Sequence, residues 1–250
     1  MKRELRIPFV ISTGIYSIIG DLQDELGDLK GSKELRIHIK DQIQNLVGVN
    51  HPYYLASVQD VVKSYWKLRE LKEAEALLQE NLPRLREVCG VQHPNTIVGA
   101  GNLVRIFTLQ GKWKEAEELG LQTMESSASV FGREHKETLH IAISLATAYL
   151  FRGRWAEAEE LNKQIVDTSN KVFGQEHPVS LFAIGNLAST YSRQELWEQQ
   201  AQEKGSQAVE MSKTVLGKQH LETLTAMGNL ARTFSENGRL EEAEMLEKSV

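Results

Sequence analysis

The sequence predicts an all-α fold, a right-handed α-solenoid (superhelix) of antiparallel helix pairs, and three observations carry that prediction. His51, His93, His135, His177 and His220 recur at steps of 42, 42, 42 and 43 residues. Other residues travel in phase with them: the aromatics Tyr65, Phe107, Tyr149, Tyr191 and Phe234, the small residues Ala74, Ala116, Ala158, Ala201 and Ala243, and the glycines Gly90, Gly132, Gly174 and Gly217. A fixed period of this size marks stacked supersecondary units. Within each unit the apolar residues fall three and four apart, and no stretch alternates as a strand would.

At the N-terminus, Lys2, Arg3 and Arg6 precede an apolar run from Ile7 to Ile19 that superficially resembles a targeting segment. Pro8, Ser12, Thr13, Gly14 and Ser17 interrupt it, and no small-x-small cleavage site follows. Two periods before Gly111 lies Gly27, and the stretch Gly27, Leu29, Ser32, Leu35 mirrors Gly111, Trp113, Ala116, Leu119. Residues 10–50 are therefore expected to form a degenerate first repeat of a single domain spanning 1–250. Arg69 falls where the turn glycine is due.

The repeats that follow are 51–92, 93–134, 135–176, 177–219 and a truncated 220–250. In the fifth, His177-Pro178 introduces Leu181, Ile184, Leu187, Ala188 and Tyr191, one apolar face of a helix. Proline suits the first helical position because its missing N–H has no partner there. In the unit before it, Gly153 ends the first helix, Trp155, Ala158, Leu161, Ile165 and Val172 carry the second, and Gly174 closes it. Glu195 replaces the turn glycine of the next unit, and one residue is inserted between Trp197 and Ala201. The last second helix, from Leu240, has 11 residues left to it, and an uncapped apolar end of this kind predicts self-association.

The order Leu187, Ala188, two residues, Tyr191, then an alanine in the second helix resembles the tetratricopeptide signature. The extra length, with His-Pro, Thr-x-x-x-x-Asn-Leu-Ala, Gly-x-Trp-x-Glu-Ala-Glu and Val-Phe-Gly, makes the chain similar to tetratricopeptide repeats of the kinesin light chain type. Such repeats also form sensor arrays of fungal and bacterial NACHT and NB-ARC NTPases. The resemblance covers residues 10–250 and is strongest from 93 to 190. It implies a protein- or peptide-binding scaffold; in kinesin light chains, asparagines at the position of Asn102, Asn186 and Asn229 hold cargo peptides. Asp60 and Ser144 depart from that row.

A formal net charge of −5 argues against a nucleic-acid binder. The single cysteine, Cys89, excludes a disulfide framework and suits a reducing cytoplasmic setting, and its phase with Phe131 and Phe173 predicts a core role. The in-phase histidines do not predict a metal. Neighbouring helices stand about 8–10 Å apart, whereas zinc ligands lie about 2 Å from the ion; helix capping is the expected role. No phosphate loop, nucleophile elbow or paired carboxylate motif is present, so the chain is expected to be non-catalytic, without cofactor, and not a membrane protein.

Function is expected on the face of the first helices. Adding the period gives a binding face of Lys63, Trp66, Asn102, Arg105, Leu109, Ser144, Phe182, Asn186, Arg193, Asn229 and Arg232. Leu150 and Phe151 add apolar side chains, and Gly101, Gly185 and Gly228 each precede a position of the asparagine row. Acidic residues at Asp21, Asp24 and Glu25 give way to Lys63, Lys67 and the arginines, which predicts an extended acidic partner segment with an apolar anchor. The alternatives are a regulatory arm of a larger NTPase and a self-assembling module.

Overall fold

The computed structural model describes residues 17–193, 198–219, 221–236 and 238–248. The described residues are helical apart from their turns, and the helices pack as sequential pairs. The chain divides into two compact units, one ending at Gly111 and the other beginning at Lys112. The first holds α1 (17–25), α2 (Leu29–Val47), α3 (Pro52–Lys67), α4 (Leu71–Cys89) and α5 (Pro94–Leu109). The second holds α6 (Trp113–Phe131), α7 (Lys136–Phe151), α8 (Trp155–Phe173), α9 (Pro178–Arg193), α10 (Glu198–Val215), α11 (Leu221–Glu236) and α12 (Leu240–Glu247).

The histidines cap helices. Nδ1 of His51, His93, His135 and His177 accepts the backbone N–H two residues on, at 3.1–3.2 Å, which satisfies one of the donors a helix start leaves open. His220 lies outside the described residues. Three residues after the cap, the hydroxyls of Thr138, Ser180 and Thr223 donate to the carbonyls of Gly132, Gly174 and Gly217 at 2.8 Å. Each helix start is thereby tied to the end of the helix before it.

The phase-locked small residues lie where pairs cross. Ser32, Ala74, Ala116, Ala158 and Ala201 are all 0% exposed, as close helix approach requires. The degenerate first repeat keeps this contact, and Ser32 Oγ, which an alanine would lack, donates to the Gly20 carbonyl. Around these contacts the core of the first unit is built from Leu55, Val58, Leu78, Leu85, Ile97 and Ile106, and that of the second from Leu145, Ile165, Leu181 and Met227.

Cys89 departs from expectation: it is half-buried rather than core. So are Phe131 and Phe173, because this position stands at the helix end, where both rings stack on the next cap, His135 and His177, at 4.8 and 4.6 Å. No described helix is long and apolar enough to cross a membrane.

Candidate functional site

In each unit the first helices of successive pairs pack on one another as well as on their own partners: α3 on α5, then α7 on α9 and α9 on α11. Their remaining faces carry the residues selected from the sequence.

In the first unit the expected charge gradient is cancelled within the chain. Lys63 Nζ lies 2.6 Å from Asp21 and Lys67 Nζ 2.7 Å from Asp24. Arg36, with a side chain only 2% exposed, pairs with both acids at 2.7 and 2.9 Å. The acidic end and the first two basic residues of the predicted gradient are thus partners of one another. Asp60 stands beside this network, and burial pushes its carboxyl above the ordinary range, opposed by Arg36 and Lys63 and reinforced by Asp21.

Further along the same face, Asn102 Nδ2 donates to Gln59 Oε1 of the preceding first helix at 3.1 Å. The Arg105 guanidinium lies 5.3 Å from the Trp66 ring centroid, and Leu109 is exposed at the end of α5.

In the second unit the row divides by depth. Ser144 is buried and its hydroxyl donates to the His140 carbonyl. Asn186 is buried and its amide donates to Thr147 Oγ1 of the neighbouring first helix at 3.4 Å. Phe182 is half-buried and packs on the core formed by Leu139, Ile143 and Ala183. Leu150, expected on the face, is instead 4% exposed in the core with Leu145 and Ala158, because it follows Tyr149 onto the side of α7 that meets α8. Asn229 and Arg232 are partly exposed, and the guanidinium donates to Asn229 Oδ1 at 3.0 Å and to Ser189 Oγ at 3.4 Å.

Phe151 is the convergence point of this face. Trp113 stacks on it with centroids 4.2 Å apart and an interplanar angle of 6°. Arg193 and Arg232 lie over the same ring at 4.9 and 5.6 Å. Sequence reasoning selected the two arginines but not their meeting on one ring, since they occupy different positions of the repeat. Trp113 begins α6 as expected and packs; Trp155, at the equivalent place in α8, is 44% exposed. Trp197 and Glu195 lie outside the described residues.

Glycine in a helix costs about 1 kcal/mol relative to alanine, so three in phase call for a reason. A Cβ on Gly228 would meet nothing within 4 Å, and one on Gly185 would meet only Asn229 Nδ2, at 3.9 Å. Close backbone packing is therefore not the reason at Gly228; the space in front of it is open. Among the described residues no group of three His, Cys, Asp or Glu is placed to hold a metal ion.

The tetratricopeptide repeat family matches residues 54–127, 100–171, 137–199 and 185–250. The chain belongs to that family. No curated protein matches it. Among solved structures it is similar to a Podosopora anserina protein named for kinesin light chain, with nearly identical TPR-like repeats: 29% identity over 80% of this chain and 94% of that one, TM-score 0.60. It also resembles NprR in complex with its cognate peptide NprX, at 16% identity over 96% of this chain and 66% of that one, TM-score 0.71. A third similar structure is a signal transduction ATPase with a tetratricopeptide repeat sensor from Pyrococcus horikoshii. There the identity is 14%, over 98% of this chain and 36% of that one, with a TM-score of 0.63. The last two likenesses concern the fold alone.

Proposed function

We propose that the chain is a non-catalytic scaffold that binds an extended peptide segment of a protein partner on the faces of its first helices. The observation that carries this reading is Asn229 on α11, partly exposed and hydrogen-bonded to Arg232 beside it, so that a main chain laid along this face meets donors and acceptors of the protein. NprR, of similar fold, holds a peptide, which agrees with this use of the architecture. On the first unit, Asn102, Arg105, Trp66 and Leu109 form a second stretch of the same character, with Lys63 at its edge held by Asp21.

Gly228→Leu separates binding from folding. A Cβ at this position meets nothing within 4 Å, and helix propensity favours the variant by about 1 kcal/mol, so it should melt no lower than the wild type. Affinity purification with mass spectrometry, comparing the wild type with Gly228→Leu and with Asn102→Ala/Arg105→Glu, should show partners lost from the variants. A partner list unchanged in both well-folded variants would exclude these faces as the binding site.

A further inference from the structure

Two positions near the end of each first helix are held by the second helix before it. At one of them Ser64 accepts from Arg36 of α2, and Thr190 accepts from Asn162 of α8. At the other, Gln110 donates to the Leu71 carbonyl of α4, and Arg152 pairs with Glu117 of α6. Leu22 on α1 and Leu26 just after it stand at these two positions, 42 residues before Ser64 and 84 before Gln110. Leu22 is 51% and Leu26 84% exposed, whereas Ser64 and Thr190 are buried. Where later repeats meet a second helix through hydroxyls, an amide and a guanidinium, α1 offers hydrocarbon. Ile19 beside them is also exposed, although Val61, Leu103, Leu145 and Leu187, in phase with it, are all buried. An apolar patch of this kind marks a contact surface, and the later repeats show the element that fits it: a helix in the place of a preceding second helix.

Asp28 sets the charge of that helix. Its counterparts at the starts of later second helices, Glu70, Arg154 and Arg239, each meet a complementary residue of the second helix before: Lys33, Glu117 and Gln202. Asp28 is exposed and bonded within its own repeat, to the Gly31 N–H and to Gln23 Nε2. Glu117 reaches both Arg152 and Arg154, so one residue of an incoming helix reaches the positions of both Leu26 and Asp28. Lysine or arginine suits that place, with its stem on the leucine and its charge on the carboxylate. Three residues further along, at the place of Arg36 relative to Lys33, the helix meets Leu22, which calls for an apolar side chain. A second copy of this chain does not fit. Its α12 carries Glu244 at the place of Lys33 and Glu117, which would set acid against Asp28.

We propose that a helix of a protein partner docks on α1 in the place of a second helix, with a lysine or arginine on Leu26 and Asp28 and an apolar residue, three positions on, against Leu22. This surface is separate from the one proposed above to bind an extended peptide, and neither reading depends on the other.

The test uses the full chain and two labelled 19-residue peptides. One has the sequence of α4, which carries Glu75 and Leu78 at the two places, and the other has the same sequence with Glu75→Lys. Fluorescence anisotropy should show the lysine peptide bound about tenfold more tightly than the glutamate peptide, the scale of one charged contact. Asp28→Lys should reverse that order, and the fold accepts a cation there, since Lys112 and Arg154 stand at the same place before α6 and α8. Leu22→Ser and Leu26→Gln, the residue types of the later repeats, should each weaken both peptides with unchanged circular dichroism. Gly228→Leu should leave both bound, which keeps this test apart from that of the extended peptide. Equal affinity for the two peptides that Asp28→Lys does not alter, binding kept by both leucine variants, or binding of neither peptide would overturn the proposal. Two further outcomes would overturn it by assigning the surface to another occupant. A sedimenting dimer that Leu26→Gln converts to monomer gives it to a second copy, and lysine-peptide binding seen only after removal of residues 1–8 gives it to that segment of the chain.

Discussion

Arg36 lies 2.9 Å from Asp24 with both side chains only 2% exposed, at a position where the later repeats carry Leu78, Gly120, Asn162 and Gly205. The contact it makes with the following repeat is nevertheless the standard one. Arg36 donates to Ser64 at 2.7 Å, and three periods on, Asn162 donates to Thr190 at 3.0 Å. The first repeat is degenerate in the means by which it docks, through ions rather than hydrocarbon.

Removing Arg36 takes from the Asp24 carboxylate one of its two cations and leaves it Lys67. Arg36→Ala should therefore destabilise the first unit by about 3 kcal/mol, the low end for a broken buried pair, read by urea unfolding followed on Trp66. Replacing the pair with neutral groups, Arg36→Leu with Asp24→Asn, should recover most of the loss, since the equivalent Leu78 is fully buried without any charge. A double variant as unstable as the single would mean that the ions themselves are required.

The two acids beside Arg36 have opposite pH signatures. Burial pushes the Asp24 carboxyl up, but hydrogen bonds from Lys67, Ser32 and Arg36 outweigh it and hold the group below its ordinary value of 3.8. Its contribution is present above that value and is lost as pH falls through the lower, folded one. Asp60 runs the other way: burial raises its carboxyl above 3.8, so its ionisation weakens the fold as pH rises. Asp60→Asn should raise the melting temperature at pH 7, and the difference from wild type should vanish once the pH is below 3.8. A gain that persists in acid would assign the effect to a new hydrogen bond instead.

Arg69 takes φ 61° where the equivalent turn residues are Gly27, Gly111, Gly153 and Gly238, at φ 74–83°. A side chain in the left-handed region costs about 1 kcal/mol. Arg69→Gly should stabilise the chain by about that amount in urea, and Gly153→Arg should do the reverse.

The fold was legible because its determinants are local and repeated: a cap, a crossing alanine and a turn glycine recur, so one unit predicts the rest. Even the degenerate repeat follows from Gly27 and Ser32, whose roles survive the loss of the apolar core around Arg36. The face was less legible, since a helix register assigns a direction but not a depth. Leu150 and Phe151 are neighbours in sequence, yet one is core and the other carries two arginines. Charges were the least legible: Lys63 and Asp21 lie a full period apart, and that they cancel is a matter of stacking geometry rather than composition.

One set of polar pairs does leave a trace in the sequence. Lys33 holds Glu70 at 2.7 Å, Glu117 holds Arg154, and Gln202 accepts from Arg239 at 2.6 Å, each pair 37 residues apart. These are one contact of the repeat, made between a second helix and the start of the next, and its sign is reversed in the first case. Reversal with retained pairing implies that the contact needs complementarity and tolerates either order. Glu117 is buried and also pairs with Arg152 at 2.6 Å, so Glu117→Lys places a cation between two others and should lower the melting temperature markedly. Arg154→Glu alone, setting two acids together, should lower it too. The double variant Glu117→Lys/Arg154→Glu reproduces the order of Lys33 and Glu70 and should melt above either single one, the shortfall from wild type reporting the remaining clashes with Arg152 and Glu157. A double variant no better than the sum of its parts would show that the pairs recur without supporting one another.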